Sequence, residues 1–365
     1  MGETSETGGA GEIGVSSPSR LSRYSRWFSL LCLCASLACV YAGLRELDGP
    51  VAEYFRSITT PEGGGTLTVP WLAFVSHAGN WLGDGRQLLM ASALLLALGW
   101  VYPCSRGKQA GLDTLWAHGL ATVLVHAVKH TIGRPRPKFS TTGEWEIMPS
   151  LTSGYDSFPS GHTTATMALA VVLARRYPHA AVLWVGLAVF VGCSRVVRGS
   201  HFTTDVFGGM VLGCISGAVV LAPWKDWRMS AVSGVRLATI GTVWGFVLLW
   251  CLTHPAPEGW MTSVLMGAGA LLALLGWWGH QRRGSADSTG GEGMIVAAVG
   301  LSVMTAAPLA MAAVGLLALG LWLAPPRPSS DEKQGSVALI HRIQWIAGLA
   351  VTLAVLTVGR GMMQV

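Results

Sequence analysis

The stretch Ser194-Arg195-Val196-Val197-Arg198-Gly199-Ser200-His201-Phe202-Thr203-Thr204-Asp205 sets two arginines, a histidine and an aspartate between two apolar runs. His201 and Asp205 stand four apart, the spacing that puts two side chains on one face of a helix. A carboxylate beside an imidazole fixes its tautomer and makes the other ring nitrogen a better nucleophile or base. Arg195 and Arg198 add planar, permanently charged forks suited to phosphate. Two further polar islands interrupt the apolar chain: Lys129-His130-Thr131-Ile132-Gly133-Arg134-Pro135-Arg136-Pro137 and Pro159-Ser160-Gly161-His162. A transferring phosphoryl group spreads charge over its oxygens, so its catalysis is mostly positioning and charge stabilisation. Lys129, Arg136 and Arg195 supply that charge. Ser160-Gly161-His162 at a helix start adds backbone N–H donors and a favourable dipole, and Gly161 lets the backbone approach an oxygen closely. His162 is an acid able to protonate a leaving alkoxide near neutral pH. No Asp, Glu or His at metal-ligand spacing accompanies the islands, so the expected chemistry uses no metal and no cofactor. Each island alone has a plainer reading, a headgroup anchor at a helix end or an ordinary helix start with Ser160 as cap.

The elements that carry these islands are apolar. The chain has 365 residues, 51% hydrophobic and 12% charged, with sixteen tryptophans and a mean hydropathy of +0.48. A soluble domain has about 25% charged residues. Repeated apolar runs of about 18 or more residues read as membrane-spanning helices. The expected fold is therefore all-α, a polytopic membrane helical bundle. The net charge of +6 comes from short basic loops, as the positive-inside rule requires, and implies no nucleic-acid partner. Six of the seven cysteines sit in or at apolar runs and Cys104 lies in a loop, which suggests packing rather than zinc or disulfides.

Residues 1–26 read as a disordered cytoplasmic tail ending in Arg20, Arg23 and Arg26, ahead of an uncleaved first span over 27–44. Residues 45–85 read as an external segment with a short amphipathic helix around 69–82. Spans follow at 86–102, 112–131, 162–174, 180–197 and 205–222, with basic loops at Arg106/Lys108, Arg175/Arg176 and Lys225/Arg228. Alternation puts residues 129–162 and 194–205 on the same, non-cytoplasmic side. Further spans are expected at 237–252, 261–278 and 343–358. The run 294–323 is either one span kinked at Pro308 or two short ones, which makes ten or eleven spans in all.

The three islands resemble, position for position, the signature of the type 2 phosphatidic acid phosphatase superfamily. Lys129, six residues, then Arg136-Pro137 forms the first part, and Pro159 to His162 forms the second. Ser194-Arg195, five residues, His201, three residues, then Asp205 forms the third. Leu82-Gly83-Asp84-Gly85 also resembles that family's lead into its second span. The resemblance covers residues 27–223 and implies a six-helix phosphatase core, leaving 224–365 as about four additional transmembrane helices. It implies that His201 attacks phosphorus to form a phosphohistidine, Asp205 orients it, and His162 protonates the leaving group and later activates water. Lys129, Arg136, Ser160, Gly161 and Arg195 would hold the phosphate oxygens. Arg134, Arg198 and His130 lie outside the signature.

The implied activity is metal-independent hydrolysis of a lipid phosphomonoester or terminal pyrophosphate. The implied lipids are undecaprenyl diphosphate, phosphatidic acid, phosphatidylglycerol phosphate or a lipid A phosphate. The expected setting is a bacterial inner membrane, with the site on its periplasmic face and the bilayer as the other partner. A lipid phosphotransferase would use the same residues. A glucose-6-phosphatase-like enzyme fits less well, because here spans are added after the core. Haloperoxidases that hold vanadate with these residues are soluble. A transporter or scaffold binding anionic lipid leaves the His201/Asp205 pairing and His162 unexplained.

Overall fold

A computed structural model of the chain describes residues 20–59, 67–140, 149, 152, 154–254, 259–283 and 290–323. It is helical, and the described residues hold no β-structure beyond an isolated Thr59–Leu67 bridge. The helices are α1 (Arg20–Ser57), α2 (Pro70–Leu82), α3 (Gly85–Val101), α4 (Ser105–Ile132), α5 (Gly161–Arg176), α6 (Ala181–Val197), α7 (Thr203–Val220), α8 (Trp227–Thr253), α9 (Trp260–Arg283), α10 (Gly290–Met304) and α11 (Pro308–Leu323). Five of the described helical stretches are long and apolar enough to cross a bilayer. Trp71, Phe74, Trp100, Trp116 and Leu274 are exposed on the outer faces, where an aqueous protein would bury them and a membrane protein meets lipid. The chain is a multi-pass integral membrane protein.

α5 is the centre. Thr163 to Val172 are buried without a break, the mark of a helix surrounded on all sides; its neighbours are α4, α6 and α7. α7 comes close because its facing residues are small: a Cβ at Gly209 would stand 2.8 Å from the Ser160 carbonyl oxygen. α3 runs along the first half of α4, and α2 packs on α6. α1 lies against α7, α8 and α11.

The structure differs from the sequence expectations at α1 and α4, and of the two readings left open for the run 294–323 it takes the second. α1 does not stop at residue 44; it continues through Pro50 to Ser57. Leu44 and Leu47 belong to the buried core, with Val51 packed on it, and this helical spacing of apolar residues keeps the segment helical after the long run ends. The run 294–323 is two helices, α10 and α11, broken at Thr305-Ala306-Ala307, where Ala306 takes φ 51° and Pro308 opens the next helix. α4 is longer than expected at both ends. The expected span at 343–358 lies outside the described residues.

The helices after α7 pack back onto the rest. α8 packs on α7 and α1. α11 packs on α1, where the hydroxyls of Ser25, Ser29 and Ser36 donate to the carbonyls of Leu323, Gly320 and Ala313 at 2.8, 2.6 and 2.7 Å. In hydrocarbon, hydroxyls at close helix contacts serve as glue between spans. Cys32, Cys214 and Cys251 are buried as packing residues, and all seven cysteines are free thiols.

Candidate active site

The site is assembled where α4 ends, α5 starts, α6 ends and α7 starts. α4 terminates because Gly133 adopts φ 63° and its N–H closes on the Lys129 carbonyl, a left-handed cap that turns the chain sharply. This leaves Lys129 in the last turn, buried at 7% exposure. The following loop is tied to itself by backbone bonds. Arg136 N–H donates to the Gly154 carbonyl and Ser157 N–H to the Arg134 carbonyl, both at 2.9 Å. Ser160 N–H donates to the Asp205 carbonyl at 3.0 Å, which joins the start of α5 to the first turn of α7.

Lys129, Arg136, Arg195, His162 and His201 converge on this end. His162, half-buried at the start of α5, lies within electrostatic range of Arg195, His201, Lys129 and Asp84. Gly83, at the end of α2, packs beside the His162 ring and Val191. Gly161 neighbours Val125 and Lys129. Ser160 occupies the N-cap position of α5 without a side-chain cap bond; instead its Oγ accepts from the Thr163 hydroxyl at 2.9 Å. Arg195 donates from Nη1 to Asn80 Oδ1 at 2.6 Å, and its buried Nε has no partner among the described residues. That leaves donor capacity on a guanidinium at this end of the bundle. Arg198 caps α6 through its backbone, and His130 stacks on His126 with ring centroids 5.9 Å apart.

His201 is not helical, because α7 begins two residues later. The expected direct bond to Asp205 is replaced by a different arrangement. Nδ1 of His201 stands 2.9 Å from the Ser157 carbonyl oxygen and 3.7 Å from Asp205 Oδ2. A carbonyl only accepts, so the hydrogen-bond network assigns the proton to Nδ1 and the free lone pair to Nε2. Asp205 acts on His201 by charge rather than by a bond of its own. Burial pushes the imidazole down to about 4, the Asp205 carboxylate works against that, and the Lys129 and Arg195 charges add to it. His201 is therefore a neutral imidazole across the physiological range.

Asp205 is fully buried and receives donors on both oxygens. Arg134 Nη1 reaches Oδ1 at 2.6 Å, and the Phe202 N–H reaches Oδ2 at 2.8 Å together with the Ser157 hydroxyl. Arg134, with no exposed surface, also donates to Thr204 Oγ1 at 2.7 Å and to Asp48 Oδ2 at 2.9 Å. The Phe202 ring lies 4.3 Å from its guanidinium carbon. Arg134 is thus a structural cation in the bundle.

Asp156 is a second residue that the sequence did not single out as functional. Its carboxylate makes a two-pronged pair with Arg136, at 2.9 and 2.7 Å, and lies 3.5 Å from Lys129 Nζ. Lys129 also donates to its backbone carbonyl. Burial works to raise this carboxyl, but the Arg136 bonds and the Lys129 charge outweigh it and hold it well below the usual carboxylate range. Asp156 thereby fixes the positions of two of the cations. Its only signal in the sequence is that it lies four residues ahead of Ser160 in a polar loop.

The fold and this cluster define a membrane-embedded, all-helical protein with a cationic site built round two histidines. The family model of the PAP2 superfamily matches residues 110–229, which span α4 to α7 and the start of α8. A lipid A 1-phosphatase of Rhizobium etli is 29% identical over 201 residues, 52% of this chain and 81% of the relative. Phosphatidylglycerophosphatase B of Bacillus subtilis is 32% identical over 157 residues, 40% of this chain and 72% of the relative. Among solved structures, a transmembrane PAP2-type phosphatidylglycerolphosphate phosphatase from Bacillus subtilis aligns with 25% identity and a TM-score of 0.40, covering 55% of this chain and 98% of that one. The chain belongs to the PAP2 superfamily, and is a phosphatase.

Proposed function

We propose that the chain is a lipid phosphatase that works through a phosphohistidine at His201. The observation that carries this reading is the meeting of Lys129, Arg136, Arg195 and the start of α5 with two histidines of different surroundings, one buried with its Nδ1–H engaged and one half-buried. His201 Nε2 attacks the phosphorus of the lipid phosphate, the P–O bond to the lipid breaks, and His162 gives its proton to the leaving alkoxide or phosphate oxygen. His162, now neutral, takes a proton from water as the water attacks the phosphoimidazole. Inorganic phosphate leaves, and both histidines return to their starting states. The cations and the N–H groups at Ser160-Gly161-His162 stabilise the equatorial oxygens throughout.

The activities named in the relatives favour a phosphate carried on a membrane lipid. Phosphatidylglycerol phosphate, a lipid A phosphate, phosphatidic acid and undecaprenyl diphosphate are the substrates to test. The basic loops support a site on the external face of a bacterial inner membrane. Residues 27–223 would form the catalytic core, and 224–365 would brace it, in keeping with the packing of α11 on α1. The experiment is phosphate release by purified protein from this lipid panel in mixed micelles. Wild type should release phosphate from at least one lipid, while His162→Ala and His201→Ala, still inserted and folded, release none. Release at a near-normal rate by His201→Ala would sink the reading.

A further inference from the structure

The short helix α2 reaches the site from outside the residues matched by the family model. Leu72, Ser76 and Gly79 are its buried residues, at the i, i+4, i+7 spacing of one helix face. That face lies on α6. Leu72 shares a buried cluster with Val197. At Gly79 the two helices come so close that a Cβ would stand 2.0 Å from Ser194 Oγ, which only a glycine avoids. The next residue of each helix then meets its counterpart: Arg195 Nη1 donates to Asn80 Oδ1 at 2.6 Å. Asn80 is half-buried, and Arg195 is 5% exposed. A guanidinium only donates, so the amide turns its oxygen towards it. Among the described residues, the charges acting on Arg195 are those of Arg198 and Arg136, with no carboxylate among them. Lys129 and Arg136, by contrast, share the Asp156 carboxylate.

We propose that Asn80 is a positioning residue for Arg195: as a neutral acceptor it holds the guanidinium in place without cancelling its charge. This rests on the reading above, in which Arg195 holds phosphate oxygens. A free arginine side chain has many rotamers and loses that freedom when it grips an oxygen; a fixed partner orders it beforehand. A carboxylate at the same place would hold Arg195 as well but would weaken its pull on an anion. The amide takes one N–H of the five that a guanidinium offers. Nε–H is buried with no partner among the described residues. Gly83, which caps α2, packs beside the His162 ring. The end of α2 therefore touches both the proposed phosphate ligand and the proposed acid.

The test is steady-state turnover of a lipid phosphate by full-length protein in mixed micelles, with orthophosphate binding read by calorimetry. It compares wild type, Asn80→Leu, Asn80→Asp, Arg195→Ala and the Asn80→Leu/Arg195→Ala double variant. Asn80→Leu removes the acceptor and should lower kcat/KM about tenfold. Asn80→Asp keeps the shape and the acceptor, yet should weaken orthophosphate binding about tenfold, because an anion now faces the guanidinium. A merely structural Asn80 predicts near-wild-type binding for that variant. With Arg195 already replaced by alanine, Asn80→Leu should change kcat/KM by less than about twofold, since it acts through Arg195. The proposal is overturned if Asn80→Leu keeps wild-type kcat/KM, if Asn80→Asp binds orthophosphate as wild type does, if Asn80→Leu costs as much without Arg195 as with it, or if neither Asn80 variant folds. Arg195→Ala separates the two claims. Wild-type turnover by Arg195→Ala removes Arg195 from the phosphate site itself; a slow Arg195→Ala beside an unaffected Asn80→Leu removes only the role of Asn80.

Discussion

His201 should make the protein acid-sensitive in a defined window. Its imidazole titrates near 4 when folded, against about 6.5 in an unfolded chain. Above pH 6.5 neither state is protonated and folding loses nothing. Below 6.5 the unfolded chain takes up a proton that the folded site refuses, so stability falls as pH drops, until the folded imidazole titrates as well near 4. Between pH 7.5 and 4.5 the difference spans about two pH units at 1.36 kcal/mol each, or roughly 3 kcal/mol. The buried setting, 3% exposed, makes solvent screening small. The assay is the thermal unfolding midpoint in detergent across this range, for wild type and for His201→Gln, which keeps a polar side chain and does not titrate. Wild type should lose stability more steeply than the variant between pH 6.5 and 4.5, and the two should run parallel above 7. Parallel curves through the whole range would refute the reasoning, since His201 would then not be a buried neutral imidazole.

Other consequences follow from the same contacts. Arg134→Met leaves Asp48 and Asp205 buried without their shared cation and should cost about 3–5 kcal/mol, read as a lowered unfolding midpoint at pH 7.5; adding Asp48→Asn should recover part of that loss. On the proposed reading Arg195 holds phosphate charge, and Arg195→Ala should lower kcat/KM about 10²–10³-fold in steady-state assays. Incubation with EDTA followed by desalting should change phosphate release by less than about twofold, since the proposed mechanism has fixed cations and backbone donors carry the oxygen charge.

Much of the site was legible in the sequence because its parts are local. Lys129 to Pro137, Pro159 to His162 and Ser194 to Asp205 are short runs in which polar residues stand out against apolar spans, and counting spans puts them on one side. What was not legible depends on distant partners. Asp48 meets Arg134 across 86 positions and Thr204 across 156, and in the sequence nothing sets it apart from Arg45 and Glu46 beside it. Arg134 lies outside the signature but in the same Arg-Pro repeat as Arg136, and only the fold shows that it turns inward between two carboxylates. The spacing of His201 and Asp205 suggested a shared helix face. The helix starts too late for that, and the Ser157 carbonyl, which no side-chain pattern can reveal, takes the Nδ1 proton. The continuation of α1 through Pro50 was hidden for a related reason: mixed polarity after residue 44 masks the buried face formed by Leu44, Leu47 and Val51.

The proposed reaction turns on a covalent phosphoimidazole at His201. The direct measurement is rapid acid-free quenching of purified protein with a labelled lipid phosphate, followed by alkaline digestion and mass analysis of the peptide carrying residues 199–205. Wild type should show phosphate on His201, and His162→Ala should accumulate more of it if water activation slows more than attack. The absence of label in wild type during turnover at saturating substrate, or label that persists in His201→Ala, would contradict it.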